Sequence, residues 1–155
     1  MNDFSMRSIF QRPTLITVGV CIFVFSIYLV TMPRELSWGY VKLGIDSPEL
    51  LTASSLFGNA HPPGYPVYTI LLGLLMRVFY FVEAPLLGNV FSILCFVFAI
   101  PFLIRLMTKI SRAIYPEIGL ITAYLCSSSA VLVLAFLPLI WGVSTITEVY
   151  TLNIF

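Results

Sequence analysis

The stretch LLGNVFSILCFVFAIPFLI, residues 86–104, decides the fold, because it is long, apolar and free of charged residues. A helix needs about 20 mainly apolar residues to cross the hydrocarbon core of a bilayer. Two more stretches meet this requirement, residues 14–32 and 118–140. The sequence therefore predicts an all-α membrane protein with about three transmembrane helices.

The composition of the whole chain agrees with a membrane environment. Hydrophobic residues make up 59% of the chain, charged residues only 10%, and the mean hydropathy is +1.01, whereas soluble domains carry about 25% charged residues. The net charge is +1 and no run of basic residues occurs. Membrane lipids are thus expected as surroundings, and nucleic acid is excluded as a partner.

Two groups of basic residues predict the topology. Arg7 and Arg12 precede the first span, and the second group follows the span at 86–104: Arg105, Lys109 and Arg112. Because basic residues favour the cytoplasmic side, an even number of crossings must separate the groups. We therefore expect a cytoplasmic N-terminus at 1–13 and an external loop at 33–85, in a bacterial inner membrane or its equivalent. Residues 66–82, which contain Arg77, then form a helix that lies in the interface or dips and returns.

The external loop has its own helical signal. Asp46, Pro48 and Glu49 have the spacing of a helix start, apolar residues follow at helical intervals, and Gly58 ends the pattern. An external juxtamembrane helix is expected here. A capping box formed by Asp46 and Glu49 is an alternative to a chemical role for the two acids. The prolines of residues 61–66 then force an extended turn back to the membrane.

Polar residues from two distant parts of the chain are predicted to converge on one membrane face. The external loop supplies the first group, Asp46, Glu49, His61, Tyr65 and Tyr68, and the segment after the third span supplies the second, Glu148, Tyr150 and Asn153. Such convergence is suited to a reaction on a lipid-borne substrate, whose head group lies at the interface.

Each of these residues also has a purely structural interpretation. His61 is more often an interfacial side chain than a ligand, and since no second His or Cys accompanies it, the sequence indicates no metal site. The tyrosines fit an aromatic belt, and Glu148 fits a loop surface. The PPxY pattern of residues 62–65 is typical of ligands for WW domains, but those domains are cytosolic and this loop is expected outside.

Several motifs in order resemble a known family. They are Asp46-Ser47-Pro48-Glu49, residues 60–68 (AHPPGYPVY), residues 89–92 (NVFS), residues 136–141 (FLPLIW) and residues 148–153 (EVYTLN). Over residues 14–155 the chain resembles the N-terminal part of the DUF2723 membrane proteins of the TMEM260 type, within the GT-C glycosyltransferases. Pro48 stands where that family usually has glycine.

The resemblance implies a GT-C-like N-terminal region that is a fragment of a longer enzyme. It implies transfer of a sugar from a polyprenyl-phosphate donor to an acceptor, such as a protein hydroxyl, on the non-cytoplasmic side. Asp46 then occupies the place of a base or a metal-facing acid, with Glu49 as a second catalytic carboxylate, and a divalent metal is a possible cofactor. His61, Arg34 and Lys42 are candidates to neutralise the leaving phosphate.

Two other classes of protein are compatible with the sequence. A transporter fragment would line a permeation path with its charged residues, including Arg77 and Glu148, and would hold them near the bilayer midplane. A non-catalytic membrane subunit would need no site at all. The position of the acids beyond the span ends favours the transferase.

Overall fold

The computed structural model describes residues 3–36 and 46–154, and every regular element in these ranges is helical. The helices are α1 (Asp3–Thr31), α2 (Ser47–Leu56), α3 (Pro66–Val78), α4 (Ala84–Ile114), α5 (Leu120–Ala135), α6 (Pro138–Ser144) and α7 (Tyr150–Ile154). The prediction of an all-α membrane protein with juxtamembrane helices is confirmed.

Two helices, over Pro13–Thr31 and Ala84–Ile114, are long and apolar enough to cross a membrane. A third crossing is possible if α5 and α6 together form one span, although they are bent by 72° relative to one another. The structure therefore holds two or three candidate spans, where the sequence predicted about three.

The three long helices α1, α4 and α5 pack against one another. The Asn89 side chain near the start of α4 donates to the carbonyl of Pro33 just after α1, at 2.9 Å, and Thr108 far along α4 bonds Ser127 in α5 at 3.1 Å. Tyr28 reaches α5 near its end. Helices α1 and α5 thus run in one direction and α4 runs in the other, with their apolar faces buried between them.

The bend between α5 and α6 interrupts the predicted span at 118–140. Pro138 has no N–H to continue the helix, so carbonyls near the end of α5 lose their usual donors. The hydroxyl of fully buried Tyr28 donates to one of them, Ala135, at 2.5 Å. The indole of Trp141 in α6 donates to Thr31 at 3.0 Å. Both contacts come from the end of α1, which therefore holds the bend in place.

Helices α2 and α3 lie side by side and point in the same direction. Gly73 in α3 lies so close to the backbone of Ser54 that a Cβ atom would collide with it. One turn further on, the guanidinium of Arg77 lies 3.7 Å from the centre of the Phe57 ring. Since both helices run the same way, residues 58–65 must carry the chain back along α2. At 13 residues, α3 is too short to count as a candidate span.

The two basic groups and the start of α2 lie at opposite ends of the three long helices. The start of α1 and the end of α4, which carry the two basic groups in sequence, lie at one end of the three long helices. The start of α2 lies near the other end, where Ser47 bonds Thr147 and Thr147 bonds Asn89. From Asn89 to Arg105 a helix rises roughly 24 Å at 1.5 Å per residue. Which end faces the cytoplasm stays a prediction.

Candidate functional site

Asp46 precedes α2 but does not cap it. Its backbone already has helical dihedral angles, φ −82° and ψ −12°, and its side chain makes no capping hydrogen bond. A capping residue needs an extended backbone to aim its side chain at the first free N–H groups. The alternative of a capping box is therefore wrong, and the Asp46 carboxylate is left available for another role.

Glu49 binds His61 rather than the start of its own helix. One carboxylate oxygen of Glu49 accepts the backbone N–H of His61 at 2.5 Å, and the other lies 3.1 Å from the ring nitrogen Nδ1. These hydrogen bonds, the ring bond first, lower the pKa of the Glu49 carboxyl. The turn predicted at residues 61–66 thus brings the histidine back to the first turn of α2. It is not extended as predicted, because the N–H of Gly64 donates to the carbonyl of His61 at 2.8 Å and Tyr65 has left-handed backbone angles.

Asp46 lies on the other side of the same imidazole. Its Oδ2 is 3.8 Å from Nε2 of His61. The ring of Tyr65 stands edge-on to the imidazole, with the ring centres 5.6 Å apart. Side-chain exposure is 37% for His61, 42% for Asp46 and 47% for Glu49. The cluster of Asp46, Glu49 and His61 is consequently open and can be reached by a substrate.

The same three residues can hold a divalent cation. One potential ligand atom from each lies within 4.8 Å of the others, and carboxylate and imidazole groups are common ligands of transition metals. The residues alone indicated no metal site, because no second His or Cys accompanies His61, whereas the family resemblance implied a base or a metal-facing acid at Asp46. The sequence signal for such a site was the pair of acids at positions 46 and 49 together with the histidine at position 61.

Glu148 lies behind this cluster and is almost completely buried, with 2% of its surface exposed. The hydroxyl of Ser92 in α4 contacts both polar groups of the Glu148 backbone. Its oxygen accepts a hydrogen bond from the N–H at 3.2 Å and lies 3.3 Å from the carbonyl oxygen. Its neighbour Thr147 accepts a bond from Ser47 at 2.7 Å. Residues at 47 and 147 are therefore in direct contact, as the predicted convergence required.

Burial raises the pKa of the Glu148 carboxyl to about 7, and the negative charge of Asp46 adds to this effect. Tyr68 in α3 is buried beside it, and its hydroxyl has no hydrogen-bond partner among the described residues. Burial raises the pKa of the Tyr68 phenol, with a further contribution from the charge of Glu148. A buried acid and a buried phenol thus lie beneath the open cluster.

Some of the predicted site residues are not brought into this group. Tyr150 is 51% exposed on α7 and Asn153 is also exposed, and no hydrogen bond or ion pair joins either of them to Asp46, Glu49 or His61 in the described parts of the chain. Arg34 is exposed just beyond α1, whereas Lys42 lies outside the described residues. That Tyr150 and Asn153 take part in binding a lipid-borne substrate stays a prediction.

Comparison with known proteins gives a family for this arrangement. The family described as "Protein O-mannosyl-transferase TMEM260 N-terminal domain" matches residues 46–155, which begin at Asp46 and include every predicted site residue except the two phosphate candidates Arg34 and Lys42. The chain belongs to this family. The resemblance deduced from the motifs is confirmed.

A curated relative agrees with the assignment. The mouse (Mus musculus) protein named Protein O-mannosyl-transferase TMEM260 is 32% identical over 137 residues, which cover 88% of the chain. The chain spans only 17% of the length of that relative. No solved structure matches. The apolar helices support a membrane location.

Proposed function

We propose that this TMEM260-family chain forms the N-terminal part of a membrane glycosyltransferase of the GT-C type. It transfers a hexose from a polyprenyl-phosphate donor to a hydroxyl group of a protein acceptor on the non-cytoplasmic side. One observation supports the proposal above all: the open cluster of Asp46, Glu49 and His61 lies at the end of the long helices remote from both basic groups.

The reaction requires a group that accepts a proton. As the acceptor oxygen attacks C1 of the sugar, its proton must leave and the bond from C1 to the phosphate oxygen must break. In our proposal the Asp46 carboxylate accepts the proton, and the lipid phosphate departs with the bonding electrons. Asp46 suits this role because it is half-exposed and makes no capping bond.

The departing phosphate also requires stabilisation of its negative charge. His61 is the first candidate, since its side chain is partly exposed and its Nε2 lies 3.8 Å from Oδ2 of Asp46. A divalent cation held by Asp46, Glu49 and His61 is the second candidate. Addition of a chelator to the full-length enzyme distinguishes the two, because only the second predicts loss of transfer and its recovery with added metal.

The positions of Arg77, Asp46 and Glu49 support a transferase over a transporter. A permeation path needs charged groups deep among the spans. Arg77, one of the expected path residues, instead lies over the Phe57 ring and is exposed. Asp46 and Glu49 are open at one end of the long helices.

The decisive experiment replaces Asp46 by Asn in the full-length protein. Asn has the same size but cannot accept the proton, so we expect sugar transfer to fall by about 10²-fold or more. Stability should not fall, because no capping bond is lost. Glu117→Gln, an exposed acid near the opposite end, is the matched control and should transfer normally. Transfer by Asp46→Asn at the parental rate would remove Asp46 from the mechanism.

The side of the membrane needs its own experiment. A reporter fused after Asn59 should report the exterior, and one fused after Lys109 should report the cytoplasm, because α4 crosses between these positions in our topology. If Lys109 reports the exterior, the proposed non-cytoplasmic reaction is incorrect.

A further inference from the structure

The Glu49 carboxylate contacts His61 through both of its oxygens. Oε1 accepts the backbone N–H and Oε2 lies 3.1 Å from Nδ1 of the ring. A carboxylate can only accept hydrogen bonds, so a bond between Oε2 and Nδ1 requires the proton to be on Nδ1. The backbone bond fixes the orientation of the carboxylate, and the carboxylate in turn fixes the ring.

The other ring nitrogen makes no such bond among the residues that the structure describes. Nε2 is 3.8 Å from Oδ2 of Asp46, which is beyond hydrogen-bonding distance. The edge-on ring of Tyr65 restricts the orientation of the imidazole further. His61 and Asp46 are both partly exposed, so the cluster that contains Nε2 can be reached from outside.

We propose that Glu49 is a positioning residue that holds His61 as the Nδ1–H tautomer and thereby presents Nε2 to the substrate. With Nδ1 occupied by Glu49, the second proton of a charged ring must reside on Nε2. There it donates a hydrogen bond to a phosphate oxygen of the donor. The tautomer follows from contacts within the chain, and only the phosphate contact rests on the proposed function.

This role differs from the catalytic role predicted for Glu49 from the sequence. A positioning residue makes its contact with His61 and acts on the substrate only through that ring. Asp46, which has no such bond to the ring, is the carboxylate that can meet the acceptor hydroxyl. The two acids of the D-S-P-E stretch therefore have different roles: Glu49 positions His61, and Asp46 meets the acceptor hydroxyl.

The tautomer can be measured directly, because His61 is the only histidine of the chain. The 155-residue chain is prepared with ¹⁵N-labelled histidine in detergent micelles and observed by NMR at a pH where the ring is neutral. We expect the spectrum of a single tautomer with the proton on Nδ1. A proton on Nε2, or an even mixture of the two tautomers, would overturn the proposal. So would a metal-bound nitrogen that becomes free when a chelator is added.

Two variants test whether Glu49 is the cause. Glu49→Ala removes the acceptor, so the ring should relax to a mixture of tautomers. Glu49→Gln can turn an amide N–H towards Nδ1, which shifts the population towards Nε2–H. Glu117→Gln, remote from the cluster, should give the parental spectrum. A parental spectrum for Glu49→Ala would refute the role of Glu49, and the parental measurement stands even if a variant does not fold.

A double-mutant cycle in the full-length enzyme tests the phosphate contact separately. If Glu49 acts through His61, then Glu49→Ala and His61→Ala should each raise KM for the donor, and the double variant should be no worse than His61→Ala alone. If the KM increases of the two single variants multiply in the double variant, Glu49 does not act through His61 and the positioning role is overturned. If the full-length protein transfers no sugar, the proposed function fails, while the NMR result decides the tautomer independently.

Discussion

Replacement of Glu148 by Gln should change how the stability of the chain depends on pH. The ordinary pKa of a glutamate is 4.5 and that of buried Glu148 is about 7, so the folded chain binds the proton more tightly than the unfolded chain. Stability from this group is fully present below pH 4.5, falls as the pH rises, and is lost above about 7. The Gln variant lacks this loss, because its side chain never becomes charged.

The magnitude follows from the difference between the two pKa values. That difference corresponds to about 3 kcal/mol at most, and water at the neighbouring open cluster screens the charge, which leaves about 1–3 kcal/mol. For a chain of this size, 1 kcal/mol changes the melting temperature by about 2–4 °C. The Gln variant should therefore gain roughly 2–12 °C over the parent between pH 4.5 and 8.

Thermal unfolding in detergent micelles, followed by tryptophan fluorescence, provides the measurement. The melting temperatures of the parent and of Glu148→Gln are compared at several pH values. The contributions of all other titrating groups cancel in the difference, because both proteins contain them. Asp46→Asn should reduce the pH-dependent difference only in part, because burial is the larger cause and the charge of Asp46 the smaller. A difference between parent and Glu148→Gln that stays constant with pH would refute the burial argument.

Two further predictions concern packing. Gly88→Ala should lower stability by about 1–3 kcal/mol in thermal unfolding, because its Cβ atom would collide with the side chain of Thr147; Gly142→Ala has open space and should be tolerated, and equal stability of the two variants would contradict the close contact. Tyr28→Phe should cost about 1–3 kcal/mol, since it leaves a buried carbonyl at the end of α5 without a donor. Tyr80→Phe, at an 84% exposed position, is its control, and a similar loss in both variants would exclude that hydrogen bond as the cause.

The features that hydropathy and charge determine could be predicted from the sequence. Apolar length located the long helices, and the two basic groups predicted antiparallel packing of α1 and α4, from which the meeting of residues near 46 and 148 followed. The bend of 72° before α6 was not predicted, because the stretch around Pro138 is as apolar as the rest of the span.

The details of the site depended on information that a linear pattern does not contain. The capping alternative for Asp46 could not be excluded from the sequence, because the spacing of residues does not specify backbone dihedral angles. The pairing of Glu49 with His61 joins positions 12 residues apart, and the turn that closes this distance is visible only in three dimensions. Tyr150 and Asn153 lie near Glu148 in sequence, yet α7 leaves both exposed.

The bond between Ser47 and Thr147 spans 100 positions of the chain, which has a consequence for biosynthesis. At about 5–20 residues per second, a ribosome needs roughly 5–20 s to add that many residues. During this time Asp46, Glu49 and His61 have already been made, whereas Glu148 has not. The open cluster can thus form early in translation, but the buried carboxylate joins it only after α4 and α5 have been synthesised. Assembly of the complete site is therefore a late event in the maturation of the chain, and it depends on insertion of the helices made in between.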